Sequence, residues 1–166
     1  MKLYKNLIPF FVTVATVIGL VSCQKADEDF KHDNNLISDM RMKMSTSAEG
    51  IKGVIIEYNA AGEVVSGEEL TAKAVQGGYG KIEFILKRSL IGAYDLENCY
   101  LSASLTFDEK ITPPLTRHNI TNRDENGVAQ GIEITVTSGI GTTRRYHVIG
   151  YFEGEYIYIE EPDTEE

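Results

Sequence analysis

Tryptophan is absent from this chain of 166 residues, and cysteine occurs only twice, as Cys23 and Cys99. Without Trp, aromatic contact falls to nine tyrosines and six phenylalanines, a mild argument against a strong sugar-stacking platform. Histidine is as scarce, with only His32, His118 and His147. There is no H-E-x-x-H or C-x-x-C, so the usual zinc spacings are missing. No serine sits in a G-x-S-x-G elbow, which removes the commonest nucleophile signature. Positive charge is short too: 16 Lys and Arg stand against 25 Asp and Glu, for a net charge of −9. Phosphate backbones repel such a surface, which argues against nucleic acid as a partner. Helix signals are nearly absent. Gly67 to Val75, "GEELTAKAV", reads either as one short helix or as another strand.

The one long apolar run lies at the amino terminus. Lys2 and Lys5 precede "LIPFFVTVATVIGLV", Leu7 to Val21, which is interrupted by Pro9 and several threonines. A spanning helix needs about 20 apolar residues, so this run is short for one and reads as the core of a secretory signal. It ends in Leu20-Val21-Ser22-Cys23. That quartet resembles the lipobox of bacterial lipoproteins. The resemblance implies cleavage before Cys23, a diacylglyceryl group on its thiol and an acylated amino group. Each buried methylene contributes about 0.8 kcal/mol, so two or three acyl chains hold firmly where one does not. Loss of Lys2 and Lys5 with the leader leaves a still more acidic chain, with no polybasic patch to help bind lipid. Lipidation of Cys23 would also leave Cys99 without an intramolecular partner.

Beyond Cys23 comes "QKADED", Gln24 to Asp29. It is similar to the export signal of Bacteroidetes lipoproteins, in which a lysine and an acidic cluster direct the protein to the outer face of the outer membrane. Ala26 between Lys25 and the acids is a small departure. The run also reads simply as an extended, solvated tether.

From Leu36 onward, apolar and polar residues alternate with the period of a half-buried strand. Met40, Met42 and Met44 share one parity with Leu36, and Asp39, Arg41 and Lys43 take the other. Val54 to Tyr58 is a second apolar run. Ile82, Phe84 and Leu86 line one face of the next, and Cys99, Leu101, Ala103, Leu105 and Phe107 line one face of a longer one. Ile132, Ile134 and Val136, then "SGIGTT", then Tyr146, Val148 and Phe152 read as a β-hairpin. Tyr156 to Ile159 is a last short run. About seven to eight strands separated by Gly- and Pro-bearing turns predict an all-β, antiparallel β-sandwich. The expected layout is a leader over 1–22, an acidic lipidated tether over 23–35, the sandwich over 36–160 and an acidic tail over 161–166.

"LISDMRM", "KIEFILK", "YDLENCYLSASLTF", "ITPP" and "IEITVTSGIGTTRRYHVIGY" follow one another in an order that resembles Bacteroidetes surface lipoproteins with an uncharacterised immunoglobulin-like sandwich domain. The resemblance spans most of residues 36–152. Its motifs are loose, and it brings no catalytic residues with it.

One loop carries sharper chemistry. "NRDENGVAQGIE", Asn122 to Glu133, has the spacing of an EF-hand calcium loop: Asn122, Asp124 and Asn126 at positions 1, 3 and 5, Gly127 at 6 and Glu133 at 12. Calcium takes six to eight oxygens, which such a turn can gather. Against this, Asn replaces the usual Asp at the first position, and the flanks read as strands rather than helices. Asn126-Gly127 also makes an ordinary turn. "GIGTTR" resembles a phosphate loop in its glycines, but a strand follows where a helix amino terminus is needed. Cys99 shares parity with Leu101 and is expected to be a buried small hydrophobe.

These readings predict no catalytic residues and no obligatory cofactor. The expected function is a surface-tethered, non-enzymatic binding module for a glycan or another extracellular ligand. Tyr94, Tyr100, Tyr151, Tyr156 and Tyr158 are the candidate aromatic contacts. The alternative is a structural or accessory subunit of a surface complex or fimbria, joined by β-augmentation. A hydrolase is the third option, requiring carboxylates paired across strands.

Overall fold

The computed structural model of the protein describes residues 31–45, 49–106 and 108–155. The leader, Cys23, the start of the tether, Phe107, the Tyr156–Ile159 run and the acidic tail lie outside the described residues. A compact unit begins at His32.

Among the described residues there is no α-helix. Ten strands form two sheets: β1 (Asp39–Lys43), β2 (Ile51–Lys52), β3 (Val54–Tyr58), β4 (Val64–Val65), β5 (Tyr79–Leu86), β6 (Cys99–Ser104), β7 (Lys110–Thr112), β8 (Arg117–His118), β9 (Ile132–Thr137) and β10 (Thr143–Phe152). One sheet runs β2-β1-β6-β8 and the other β4-β3-β5-β10-β9-β7. The expected "GEELTAKAV" element is a 3-10 turn, Gly67–Glu69, followed by loop.

The pairing is antiparallel throughout, except that β10 runs parallel to β5 over eight register pairs from Arg145–Tyr79 to Phe152–Leu86. The wholly antiparallel sandwich expected from the sequence is thus a mixed one. The physical reason is the crossover: after β5 the chain passes to β6 in the opposite sheet before it returns. Strand count rises from the expected seven or eight to ten because β2, β4 and β8 are two-residue edge pieces too short to show a period.

The period-2 pattern buries one face of each sheet against the other. Met40 and Met42 of β1 and Cys99 and Leu101 of β6 pack with Ile82, Phe84 and Leu86 of β5, Ile134 and Val136 of β9, and Tyr146 and Val148 of β10. Each such side chain contributes on the order of 1.5–3 kcal/mol by leaving water. β1 starts at Asp39 rather than Leu36, and Ile37, not Leu36, is the buried residue before it. Gly53 makes the step between sheets: its N–H donates to Met40 O at 2.9 Å. A methyl there would stand 2.8 Å from Ile82 Cγ2.

Of the tether expected over 23–35, residues 32–35 contact the sandwich. His32 N–H donates to Asp108 Oδ2 at 2.7 Å, and Asn34 Nδ2 donates to Thr106 Oγ1 at 2.8 Å. Asn35 is buried. Their polar side chains read as linker in sequence, but they find partners in the loops after β6 and before β10.

Candidate functional site

The proposed calcium loop is a well-ordered turn. Asp124 Oδ1 accepts the N–H groups of Asn126 at 2.9 Å and Val128 at 2.8 Å, and Asp124 O accepts Gly127 N–H at 2.9 Å. Gln130 Nε2 reaches Asp124 Oδ2 at 3.3 Å. Gly127 has φ 77° and Asn122 φ 35°, the left-handed conformations such a turn requires. Glu133 stands on β9, exposed, with its carboxylate 3.7 Å from the Arg145 guanidinium. The carboxylate of Asp124 therefore holds the loop's own backbone, while Glu133 faces a neighbouring strand. Among the described residues, no three His, Cys, Asp or Glu side chains converge on a common metal position.

Cys99 is fully buried, with its thiol 3.6 Å from His118 O, and burial pushes its pKa up to about 11. That is the setting of an inert core thiol. The three histidines stay apart in their contacts. His32 Nδ1 lies 3.4 Å from Asp108 Oδ2, His118 Nε2 lies 2.9 Å from Pro114 O, and the His147 ring meets Gln130 O. "SGIGTT" is a hairpin turn closed by Thr142 N–H to Ser138 Oγ at 3.0 Å.

A cluster that the sequence reading missed lies in the core. Glu57 on β3 and Arg144 on β10 are each only 3% exposed. Arg144 Nε donates to Glu57 Oε2 at 2.8 Å, and its Nη2 lies 2.6 Å from the same oxygen. The other guanidinium hydrogens reach Val75 O at 2.6 Å, Tyr58 O at 3.0 Å and Tyr79 O at 2.6 Å. Tyr146 OH donates to Glu57 Oε1 at 2.7 Å and accepts Ile37 N–H at 3.0 Å. Burial pushes the Glu57 carboxyl up, opposed by the Tyr146 hydroxyl and Arg144. Burial, then the adjacent Glu57 charge, pushes the Tyr146 phenol up as well.

Gly80 makes this geometry possible. It sits between Glu57 and Tyr146 in the strand register, and without a Cβ it leaves room for the tyrosine ring to cross β5. The network ties β3, β5, β10, the Val75 loop and the segment before β1 together. It is closed to solvent, and its bonds are internal, so its role is positional. A signal existed in the sequence: Arg144 shares parity with Tyr146 and Val148, and Glu57 with Ile55, so each charge falls on an apolar face.

The solvent side of the six-stranded sheet offers a different surface. Tyr58 and Tyr79 stack with ring centroids 4.6 Å apart and planes 12° from parallel. Next along β5, Lys81 Nζ pairs with Glu83 Oε1 at 2.6 Å, both largely covered. Tyr151 on β10 follows, opposite Ile85, which is exposed. Burial and the Glu83 charge both push the Tyr151 phenol up. A strip of aromatic faces with a charged pair in its middle thus runs along β5. Of the tyrosines singled out from sequence, Tyr151 joins this strip. Tyr94 packs on the core, Tyr100 lies under Arg117 at 4.3 Å on the other sheet, and Tyr156 and Tyr158 lie outside the described residues. Tyr58 and Tyr79 went unnoticed because their stacking depends on register.

No family model matches the chain, and no curated protein matches it. Among solved structures, a match is a Bacteroides fragilis protein described as a "putative secreted protein", with a TM-score of 0.35 and 10% identity, covering 70% of this chain and 91% of that one.

Proposed function

We propose that this chain is a lipoprotein anchored in an outer membrane through acyl chains on Cys23, exposed at the cell surface, whose sandwich captures an extracellular ligand without chemical turnover. The lipobox-like Leu20–Cys23 after an apolar leader supports the anchoring. The observation that carries the binding reading is the strip of Tyr58, Tyr79 and Tyr151 flanking the Lys81–Glu83 pair. Aromatic faces suit the apolar ring faces of a glycan, and the largely covered Lys81–Glu83 pair holds the middle of the strip in place. The non-enzymatic reading is supported by where the buried titratable groups lie. Glu57, Tyr146 and Cys99 are walled into the core rather than open to a substrate.

Two measurements test this. Cys23→Ala should abolish acylation and membrane attachment, and normal attachment in that variant would remove the anchor. A glycan array probed with the detergent-solubilised chain should give hits that weaken in Tyr151→Ala. An array with no hits removes the glycan form of the proposal.

A further inference from the structure

The outer face of the four-stranded sheet carries charge of the opposite sign to the chain as a whole. Asp39, Arg41 and Lys43 alternate on β1 with the buried Met40 and Met42, so all three point away from the core. Register puts Lys52 of β2 opposite Arg41, and Tyr100 of β6 between Lys43 and Arg117 of β8. Four basic side chains thus share this face with one strand carboxylate, Asp39, in a chain of net charge −9. Their positions are held. Arg117 Nη1 donates to Asn98 O at 2.9 Å, and its guanidinium lies 4.3 Å from the centre of the Tyr100 ring. A Cβ on Gly50 would stand 3.0 Å from Lys43 Cγ and 3.2 Å from its Cε, so bare backbone makes room for the lysine stem. The face already seats one carboxylate: Arg41 Nε donates to Asp39 Oδ2 at 2.8 Å, and Lys52 Nζ lies 3.3 Å from Oδ1. Among the described residues, no carboxylate pairs with Lys43 or Arg117.

We infer that this face binds a polysaccharide of uronic acids, whose carboxylates meet Lys43 and Arg117 as Asp39 meets Arg41 and Lys52. Lys43 and Arg117 stand two strands apart, about 10 Å at roughly 4.8 Å per strand. One carboxylate does not bridge that gap, so a polymer with repeated charges fits where a single small acid does not. Charge complementarity selects an anion, and the surroundings select a narrow one. Glu49, Asp95 and Glu97 are exposed in the loops that lead into β2 and β6. They repel a broad anionic surface pressed on the face, whether a membrane or a second copy of this acidic chain. A single polysaccharide chain follows the cations and leaves those loops in water. Beside the cations, β6 turns only the short hydroxyls of Ser102 and Ser104 outward, and these can hydrogen-bond sugar hydroxyls. The site lies on the other sheet from the Tyr58, Tyr79 and Tyr151 strip and does not depend on it.

The test is calorimetric titration of the full chain, in non-ionic detergent, with polygalacturonate. Binding is expected, weaker as salt rises, and neutral dextran should not compete with it. Lys43→Gln and Arg117→Gln should each weaken it about threefold to fivefold, and together about tenfold or more. Lys110→Gln, on β7 of the other sheet, removes the same charge and should leave binding unchanged. If Arg117→Gln lowers the melting temperature, Lys43→Gln alone decides, since Lys43 has no ion pair to lose among the described residues. Absence of binding, an equal loss in Lys110→Gln, or competition by dextran overturns the inference. So does self-association, followed by sedimentation, that polygalacturonate leaves intact and Lys43→Gln abolishes, because a second copy would then occupy the face.

Discussion

Gly80 and Tyr146 are register partners in the parallel β5–β10 pair, and a methyl placed on Gly80 would stand 2.1 Å from the tyrosine ring. The ring lies over the glycine so that its hydroxyl reaches Glu57. Gly80→Ala should therefore overpack the core and push the hydroxyl off the carboxylate, a loss of about 1–3 kcal/mol. Urea denaturation measures it; an unchanged midpoint would mean that the ring does not depend on the gap.

Arg144→Leu should cost on the order of 3–5 kcal/mol, because it leaves the Glu57 carboxylate buried with only Tyr146 as donor. Adding Glu57→Leu to the same chain should recover much of that loss, since the desolvated charge goes too. The double-mutant cycle decides: strictly additive losses would show the two side chains to be uncoupled.

Asp124→Ala removes the acceptor of the Asn126 and Val128 N–H groups and should destabilise the loop by roughly 1–3 kcal/mol. Calcium binding by Asn122, Asp124, Asn126 and Glu133 is a proposal that the same samples test. If the loop binds calcium, millimolar calcium raises the melting temperature of the parent and not that of the variant. A parent insensitive to calcium removes the proposal and leaves the structural loss in place.

The His32–Asp108 contact should open in acid. The His32 backbone N–H, opposed by partial burial, holds the Asp108 carboxyl below its ordinary range. A depressed carboxylate contributes stability that is present above its unfolded value and is lost as pH falls through the folded one. Protection of the His32 amide should accordingly persist at pH 5 and fade below about pH 4. Asp108→Ala should abolish it at every pH and speed tryptic cleavage after Lys31. Equal cleavage of both chains would contradict a holding role for the His32–Asp108 contact.

The strands carrying Met40, Ile82, Leu101, Ile134 and Val148 were legible because a half-buried strand writes its inner face into every second residue. The hairpin between β9 and β10 was legible for the same reason, with "SGIGTT" marking its turn. Cys99 too was readable from the parity of Leu101. The parallel β5–β10 contact was not, because hydrophobic period carries no information on strand direction. The stack of Tyr58 on Tyr79 and the Gly80 gap beneath Tyr146 depend on cross-strand register, which joins residues far apart in the chain.

The sequence by itself determined the all-β class and the inner face of each long strand, since each rests on local pattern. Tertiary structure decided that Glu57 on β3 and Arg144 on β10 meet across β5, and that Asp124 binds its own turn. Those facts follow from which strands lie side by side and in what register. That choice is made by burying two sheets against each other at once, a sum over the whole core that no short stretch of residues encodes.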